Sequence, residues 1–598
     1  MTFPDLSGET IAVDTETTGL VWKKDKVFGL AVAAGDQSWY FDVRKQPGAL
    51  DWLRDTVQSA RKVVNFNLKF DAHMLLNEGI TIPDEKAECS SVRACLINEH
   101  GHDYGLDALA KAAGVPAKDD TIYQKLADLF GGPPTRAAQI RNLARAPVEV
   151  VAPYAMADAV SALRLWEWQE REIEKQGLHD IWRLEQALTP VLWRMERRGV
   201  RIDEHAARQG LGRLKDQLVG SQRTLVDLTG RATFNQGSPL QVREFFKPEQ
   251  REGGWYIGDQ RIPTTPVGAP SIDANVLRSL THPLAAAILK HRKLEKTRQF
   301  LEGHVLGHAI DGSVYPDYNQ TRGEEGGVRF GRLSIHDPAL QQIPARDKDV
   351  GAVVRSCFLP EEGDEWVCAD WSQFEFRWVA HFANSAPLNK AYAENPDADF
   401  HQMVADLTGL PRNAPYAGAP YAKGINLGLA FGMGQGRLAK EMGLPFTVER
   451  RHNKDVYIPG PETLDIFARY HSGVPGVQSL VDRAAAVARA RGYIRTVGGR
   501  HLRFPRGHST HKAGALLFQG SSADCLKQKL VELDRAGTEP RLSVHDEADF
   551  SIAPGDTAKR EVIREILTTF DGEWCPIKCR IPITCDISSG INWWEASK

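Results

Sequence analysis

Almost no net charge is left over in this sequence: 74 Lys and Arg against 77 Asp and Glu give −3 over 598 residues. A near-neutral chain is neither a polycation nor a polyanion, so any nucleic-acid binding must come from local clusters. Cysteine is scarce, eight in all. Cys575 and Cys579 stand four apart with no second pair at zinc spacing, which excludes a disulfide framework and predicts reduced thiols. The opening MTFPDLSGET has neither the basic start nor the apolar core of a signal peptide. No apolar run reaches the ~18 residues that a membrane helix needs. Internal repeats and low-complexity tracts are missing too. These absences predict a soluble cytoplasmic protein without a membrane partner.

What is present is the composition of a large globular chain, 42% hydrophobic and 25% charged. At roughly 150 residues per domain, the length predicts about four units. The first 180 residues read as α/β. TIAVDTETTGL is a strand ending in acids, VFGLAVAAG and SWYFDV are its hairpin partners, and KVVNFN is a further strand. A long amphipathic helix is expected after Pro153. Helical periodicity dominates from about residue 185, and residues 311 to 382 turn to strand and loop. Helices with Gly and Pro breaks fill 400 to 510, and RLSVHDEADFSIAP reads as a hairpin. The polar stretch TVERRHNKDVYIPGPE is a candidate dedicated insertion and reads equally as an ordinary loop. Charge of one sign does gather in one place: Arg483 to Lys512 holds eight Lys or Arg and no acid. So long a run without an acid favours a polyanion partner over a merely solvated face.

The run YAKGINLGLAFGMG, residues 421–434, sets one lysine among apolar side chains and four glycines. As a helix it places Lys423, Leu427 and Phe431 on one face. Taken alone, it reads as a buried helix with Lys423 snorkelling outward.

Two groups of acids lie far apart in the chain. Asp14 and Glu16 end the first strand, and a period of two puts both on one face, where they repel unless a cation lies between them. Asp71 follows a further strand in NFNLKFDAHML, and Tyr154 and Asp158 stand one helical turn apart in YAMADAV. In the C-terminal half, VCADWSQFEFR puts Asp370 after a hydrophobic strand, and SVHDEADF puts Asp546 and Glu547 in a hairpin turn. Half-buried carboxylates there are costly without cations. If the two strands are neighbours, Asp370 and Asp546 form a two-metal site.

The first group, Asp14-x-Glu16, Asn67-x-x-Phe70-Asp71 and Tyr154-x-x-x-Asp158, resembles the tyrosine-bearing proofreading branch of the DEDD exonucleases. The resemblance implies an RNase H-like domain over residues 1–185. It implies two divalent metals on Asp14, Glu16, Asp71 and Asp158, with Tyr154 orienting the attacking water. Leu20, Asn67 and Phe70 would hold a single-stranded 3′ end.

The C-terminal two-thirds resembles the family A DNA polymerases. DWSQFEFR is similar to motif A, AKGINLGLAFGMG to motif B and VHDE to motif C. GRLSIHDPALQQIP, YHSGVPGV, GYIRTVGGRHLRFP, FQGSSAD and the terminal GINWWEASK are further matches. The resemblance implies a right-hand polymerase domain over 186–598: thumb about 190–310, palm about 311–400 and 511–598, fingers about 401–510. The 5′-nuclease domain of many bacterial relatives is not expected. Asp370 and Asp546 would hold two Mg²⁺ ions, or Mn²⁺ in their place, with Glu547 supporting them. Lys423 and His401 would meet the triphosphate of a dNTP, beside Leu427 and Phe431. Glu375 would be the steric gate against a 2′-hydroxyl, and Gln373, also on the nucleotide side, and Arg377 would brace motif A. Arg332, Gln519, His545 and Arg377 would contact primer-template DNA, and the 483–512 run would grip its phosphates. The implied function is primer extension with 3′–5′ proofreading, in phage DNA replication, by a monomer. A helicase, primase or processivity factor is left open as a partner.

Three positions break the pattern. Relatives carry an arginine four residues before the lysine, where this chain has Ala419, and Arg412 is the nearest substitute. The aromatic four after it is Leu427, which predicts a changed response to dideoxynucleotides. The tyrosine eight after it is Phe431, so Glu375 loses a hydroxyl partner and must find another. A nuclease whose polymerase half only grips DNA, and a non-catalytic DNA-binding scaffold, are the competing readings.

Overall fold

The computed structural model describes residues 3–117, 121–251, 254–265, 267–321, 327–345, 347–415, 419–451 and 454–597. Near the N-terminus, strands β1 (Thr10–Thr17), β2 (Val27–Ala34), β3 (Gln37–Asp42), β4 (Lys62–Asn65) and β5 (Ala87–Cys89) form one sheet in the order β3-β2-β1-β4-β5. The first three run antiparallel as hairpin partners, whereas β4 and β5 run parallel to β1. Helix Val148–Gln176 lies across this sheet. Its Ala155, Ala159 and Ala162 recur at helical spacing and meet Ala12, Ala31 and Ala33 of the strands. Small residues on both sides allow a close approach, which carries Tyr154 and Asp158 up to β1. The helix starts at Val148, ahead of the expected point, and Pro153 lies inside it. Only the amide bond from position 153 to Glu149 is lost, close to the end where the ladder begins.

Helix His179–Arg198 follows and packs on both halves of the molecule. Its Glu185 accepts from Lys527 Nζ (2.6 Å) and pairs with Arg500, which also reaches Asp524 (2.8 Å). All four side chains are buried. At the other end, Glu196 pairs with Lys69 and with His73 Nε2 (2.8 Å), on the helix that carries Asp71. Arg503 reaches Glu99 (2.5 Å) on the first half. These contacts correct one expectation. Within the basic run, Arg500 and Arg503 are spent on internal carboxylates and offer nothing to a polyanion. Arg483, Arg489, Arg491, Arg495, Arg506 and Lys512 are exposed.

The C-terminal half is built on an antiparallel sheet in the order Leu542–Val544, Glu547–Ile552, Glu365–Trp371, Cys585–Gly590. Helix Ala513–Arg535, buried all round from Gly520 to Val531, packs against helices His179–Arg198, Phe374–Ala383 and Val477–Arg491. The stretch expected as strand and loop to residue 382 turns helical over Phe374–Ala383. Gln373, in the left-handed region at φ +54°, makes the change of direction. Helices Phe400–Thr408, Ala422–Ala430, Pro461–Gly473 and Val477–Arg491 pack together to one side. The polar stretch after residue 446 is a paired hairpin, Phe446–Arg451 with Lys454–Pro459, not a loop. Residues 452–453 between the two strands lie outside the described residues, as do residues 1 and 2 of the opening segment. No disulfide joins the eight cysteines. Among the described residues, no helix is long and apolar enough to cross a membrane.

Candidate active sites

Strand Glu365–Trp371 lies between two partners, so Asp370 stands opposite Glu547 on one side and Asp586 on the other. Opposed residues in a ladder share a face, which sets three carboxylates in a row. Asp546 occupies the adjoining turn, where its carbonyl accepts from the Trp371 amide (3.5 Å). The two acid-bearing strands are therefore neighbours. Residue 545 makes the tight turn at φ +61°, a conformation that non-glycine residues avoid and that recurs at functional sites. Burial pushes the Asp546 carboxyl up, against the pull of Arg332. Asp586 was not singled out from the sequence. Its signal, an acid in CDISSG, means something only once that strand is known to pair with Asp370.

A small cleft opens beside this row, lined in part by Arg332, Glu375, Ser522, His545 and Asp546. Arg332 Nη2 donates to Glu375 Oε1 (2.7 Å). Glu375 therefore does have another partner, and it is the arginine that was expected on DNA. Burial still raises the Glu375 carboxyl, helped by Asp546 and opposed by Arg332. Burial and Arg332 also lower the affinity of His545 for a proton. Gln519 is half-buried one turn before Ser522 on helix Ala513–Arg535.

Helix Ala422–Ala430 is buried apart from its residues Lys423 and Leu427, and Phe431 just past its end is also half-exposed. The three form one face, as spaced. The Phe431 ring lies 6.3 Å from Phe518, on the helix that lines the cleft. The glycines serve the helix itself. A Cβ on Gly424 would strike the Tyr421 ring at 2.6 Å, and one on Gly428 would meet Met433 at 2.9 Å. Carbonyls of Pro411 and Arg412 accept the amides of Ala422 and Lys423 (2.9 and 3.0 Å), which sets Arg412 beside the lysine. The Arg412 side chain pairs with Asp399 (2.5 Å), and Asp399 caps helix Phe400–Thr408. His401 in that helix is held neutral, down to about 4, by burial and then by Lys423, with Arg412 adding to the effect and Asp399 opposing it.

Gln373 Oε1 accepts from the Phe400 amide (3.1 Å) and its Nε2 donates to Ala398 O (3.3 Å). Arg377 is fully buried. It donates to Ser372 O (2.8 Å), Pro396 O (2.8 Å), Thr584 Oγ1 (2.7 Å) and Pro582 O. The expectation that Arg377 touches DNA is corrected: its donors are consumed inside, tying the Asp370 strand to its surroundings.

In the N-terminal half, Tyr154 holds its proton well above the usual range. Burial is the main cause, followed by Asp158, Glu16, Tyr123 and Asp14. Tyrosine and three acids thus share one field. Asp71 joins from the far side: its Oδ1 accepts from Thr15 N (3.1 Å) and Thr15 Oγ1 (2.7 Å). Burial lifts its carboxyl to about 6. Leu20 is 63% exposed, Asn67 is exposed and Phe70 half-buried.

The donors at both places are all oxygen, a set that suits hard divalent cations. Among the described residues, the group whose ligand atoms all lie within 4.8 Å is a different one, Cys368, Glu547 and Asp549. There the Cys368 thiol and Trp366 Nε1 both donate to Asp549 Oδ1 (2.9 Å each), so that group is a hydrogen-bonded cluster behind the acid row.

An acid-bearing sheet with a lysine-bearing helix to one side, joined to a second acid-bearing sheet, defines a polymerase with an attached nuclease. Residues 205–595 match the family described as DNA polymerase family A, and residues 5–174 match that described as 3′-5′ exonuclease. The chain belongs to the family A DNA polymerases and carries a 3′–5′ exonuclease domain. It is 43% identical to a DNA polymerase DpoZ of Salmonella phage PMBT28, over 100% of this chain and 99% of the relative. Identity to the DpoZ of Acinetobacter phage SH-Ab 15497 is 44%, with the same coverage. A solved structure titled as the POL domain of Pol1 from M. smegmatis in complex with DNA primer-template and dNTP superposes with TM-score 0.76 at 22% identity. It covers 99% of this chain and 97% of that one.

Proposed function

We propose that this chain extends a primer 3′ end on a DNA template using dNTPs and removes misincorporated nucleotides at its second site. The carrying observation is the pairing of the Asp370 strand with the Asp546 hairpin, beside a helix whose half-exposed face presents Lys423. Asp370 and Asp546 hold two divalent cations, Mg²⁺ by preference, with Glu547 and Asp586 flanking Asp370. When bound, the cations lower the proton affinity of the primer hydroxyl and stabilise the leaving oxygen. Lys423 and His401 bind the triphosphate, and Arg412 supplies the cation that Ala419 cannot. Leu427 and Phe431 pack against the nucleotide, and Glu375, fixed by Arg332, excludes a ribose hydroxyl. His545 and Gln519 contact the primer terminus. The six exposed cations of the 483–512 run neutralise phosphates. The thumb, palm and fingers divisions given above follow from the same reading, as does a monomer.

In the exonuclease, Asp14, Glu16, Asp71 and Asp158 hold the metals, Tyr154 keeps its proton and orients water, and Leu20, Asn67 and Phe70 seat the strand end. A labelled primer-template with Mg²⁺ tests both activities. Extension with dNTPs and degradation without them is the expected result. Asp546→Ala abolishes extension alone, and Asp14→Ala with Glu16→Ala abolishes degradation alone. Degradation without extension by the wild type would instead support a nuclease that only grips DNA.

A further inference from the structure

Three buried side chains behind the Lys423 helix form an unbranched hydrogen-bond chain. The Tyr470 hydroxyl, on helix Pro461–Gly473, donates to Asn426 Oδ1 (3.1 Å). Asn426 Nδ2 lies 3.0 Å from His401 Nδ1. Tyr470 and Asn426 are fully enclosed, and His401 is 5% exposed. An amide nitrogen can only donate and an amide oxygen can only accept, so a buried asparagine passes a direction along the chain. With Oδ1 taken by the tyrosine proton, Nδ2 faces the imidazole, Nδ1 must accept, and the single ring proton sits on Nε2. The reverse order would have Nδ2 donate to the tyrosine oxygen and place the ring proton on Nδ1. Among the described residues that hydroxyl hydrogen-bonds only to Asn426, so its own proton would then be stranded in the core at a cost of about 1–3 kcal/mol.

We infer that Tyr470 and Asn426 are positioning residues for nucleotide binding: they hold His401 as the tautomer whose Nε2–H donates to a phosphate oxygen of the incoming triphosphate. The surroundings agree. Lys423 from the Asn426 helix and Arg412 from the preceding segment repel a second proton on the ring, and Asp399 from its own helix only partly offsets them. The Phe376 ring, 4.8 Å away by ring centres and nearly perpendicular, closes an apolar side. A neutral ring of fixed tautomer donates in one direction whatever the pH of the cell, which a free histidine titrating near 6.5 would not do.

The inference rests on the reading of the Lys423 face as the triphosphate face, and the tests separate the two. Wild type that fails to extend a primer refutes that reading. Wild type that extends, but whose His401→Gln variant keeps the dNTP KM unchanged, refutes the inference alone. Tyr470→Phe frees the amide to turn and is expected to raise the KM for all four dNTPs about three- to tenfold, the size of one hydrogen bond. Its kcat and primer-template affinity stay near wild type. Asn426→Asp replaces the donor with a carboxylate that favours imidazolium. It is expected to add a titration to the pH profile of kcat/KM for dNTP that wild type lacks, and His401→Gln in the same background removes it. An added titration that survives His401→Gln overturns the inference. The folded wild type gives an independent reading: ¹⁵N-histidine spectra, with the His401 signals assigned by their loss in His401→Gln, show the proton on Nε2. A proton on Nδ1 overturns the inference.

Discussion

Arg332 and Glu375 show how a site adjusts to one missing atom. Phe431 carries no hydroxyl, and the Glu375 carboxylate, proposed above as the sugar gate, pairs with Arg332, both side chains being mostly covered (19% and 26% exposed). A charge-assisted bond fixes Glu375 more firmly than a neutral one, so sugar selection is expected to persist. Glu375→Ala should raise ribonucleotide incorporation at least about tenfold relative to dNTPs, measured by primer extension with each rNTP. Equal incorporation by wild type and variant would show that the gate lies elsewhere. Arg412 is the second adjustment. Its carbonyl accepts the Lys423 amide, and its side chain pairs with Asp399 (2.5 Å), although it lies seven residues before Ala419 in sequence. Arg412→Ala is expected to raise dNTP KM about tenfold while kcat stays within about twofold, read from single-nucleotide insertion kinetics. At this scale the acids were legible because spacing alone aligns them: Asp14 with Glu16 on a strand, Tyr154 with Asp158 on a helix. The Arg332–Glu375 pair, Asp586 beside Asp370 and the burial of Arg377 were not legible, because each depends on segments 43 to 216 residues apart meeting in the fold.

Elements were legible where periodicity was long and unbroken. The first sheet and its helix were readable for that reason. The helix Phe374–Ala383 was not, since FEFRWVAHFA is apolar nearly all round and is buried nearly all round, so no period marks it. The glycine-rich run illustrates the opposite difficulty. Its glycines suggest close approach to a ligand, yet they make room for the chain's own Tyr421 and Met433. Gly432 has a separate role. It ends the helix at φ +79°, with a would-be Cβ 3.0 Å from Val481. Gly432→Ala therefore combines left-handed strain with a contact that must give, and should cost about 1–2 kcal/mol. Gly434, at φ −74° with open space around it, is a matched control. Thermal unfolding should show a larger fall in Tm for Gly432→Ala than for Gly434→Ala, which loses only the N-cap preference of glycine over alanine; equal Tm values would mean the turn is not under strain.

The whole molecule is held as one body by ion pairs that cross between its halves, and this accounts for where the basic run misled. Glu185 faces two cations, Arg500 and Lys527, with no exposure to water. Removing a carboxylate from such a set leaves buried charge unpaired, typically costing about 3–5 kcal/mol. Glu185→Ala should thus weaken both activities together, whereas either set of metal-acid variants separates them. Retention of one activity at full strength, at a temperature where the other is lost, would show that the halves unfold independently. Acid should act on the same body through its histidines. Burial holds His381, His401 and His501 down to about 4, against 6.5 in an unfolded chain. Between those values the unfolded state binds more protons than the folded one, so stability rises with pH from about 4 to 6.5 and is lost as pH falls through that window. Asp71, lifted to about 6, works the other way between 3.8 and 6 and offsets about one of the three protons. The net expectation is uptake of about two protons on unfolding near pH 5 from these four groups. Replacing His501 with Gln should reduce the slope of stability against pH by about one proton in denaturant titrations at pH 4.5 to 6.5. An unchanged slope would mean that His501 is already charged in the folded protein.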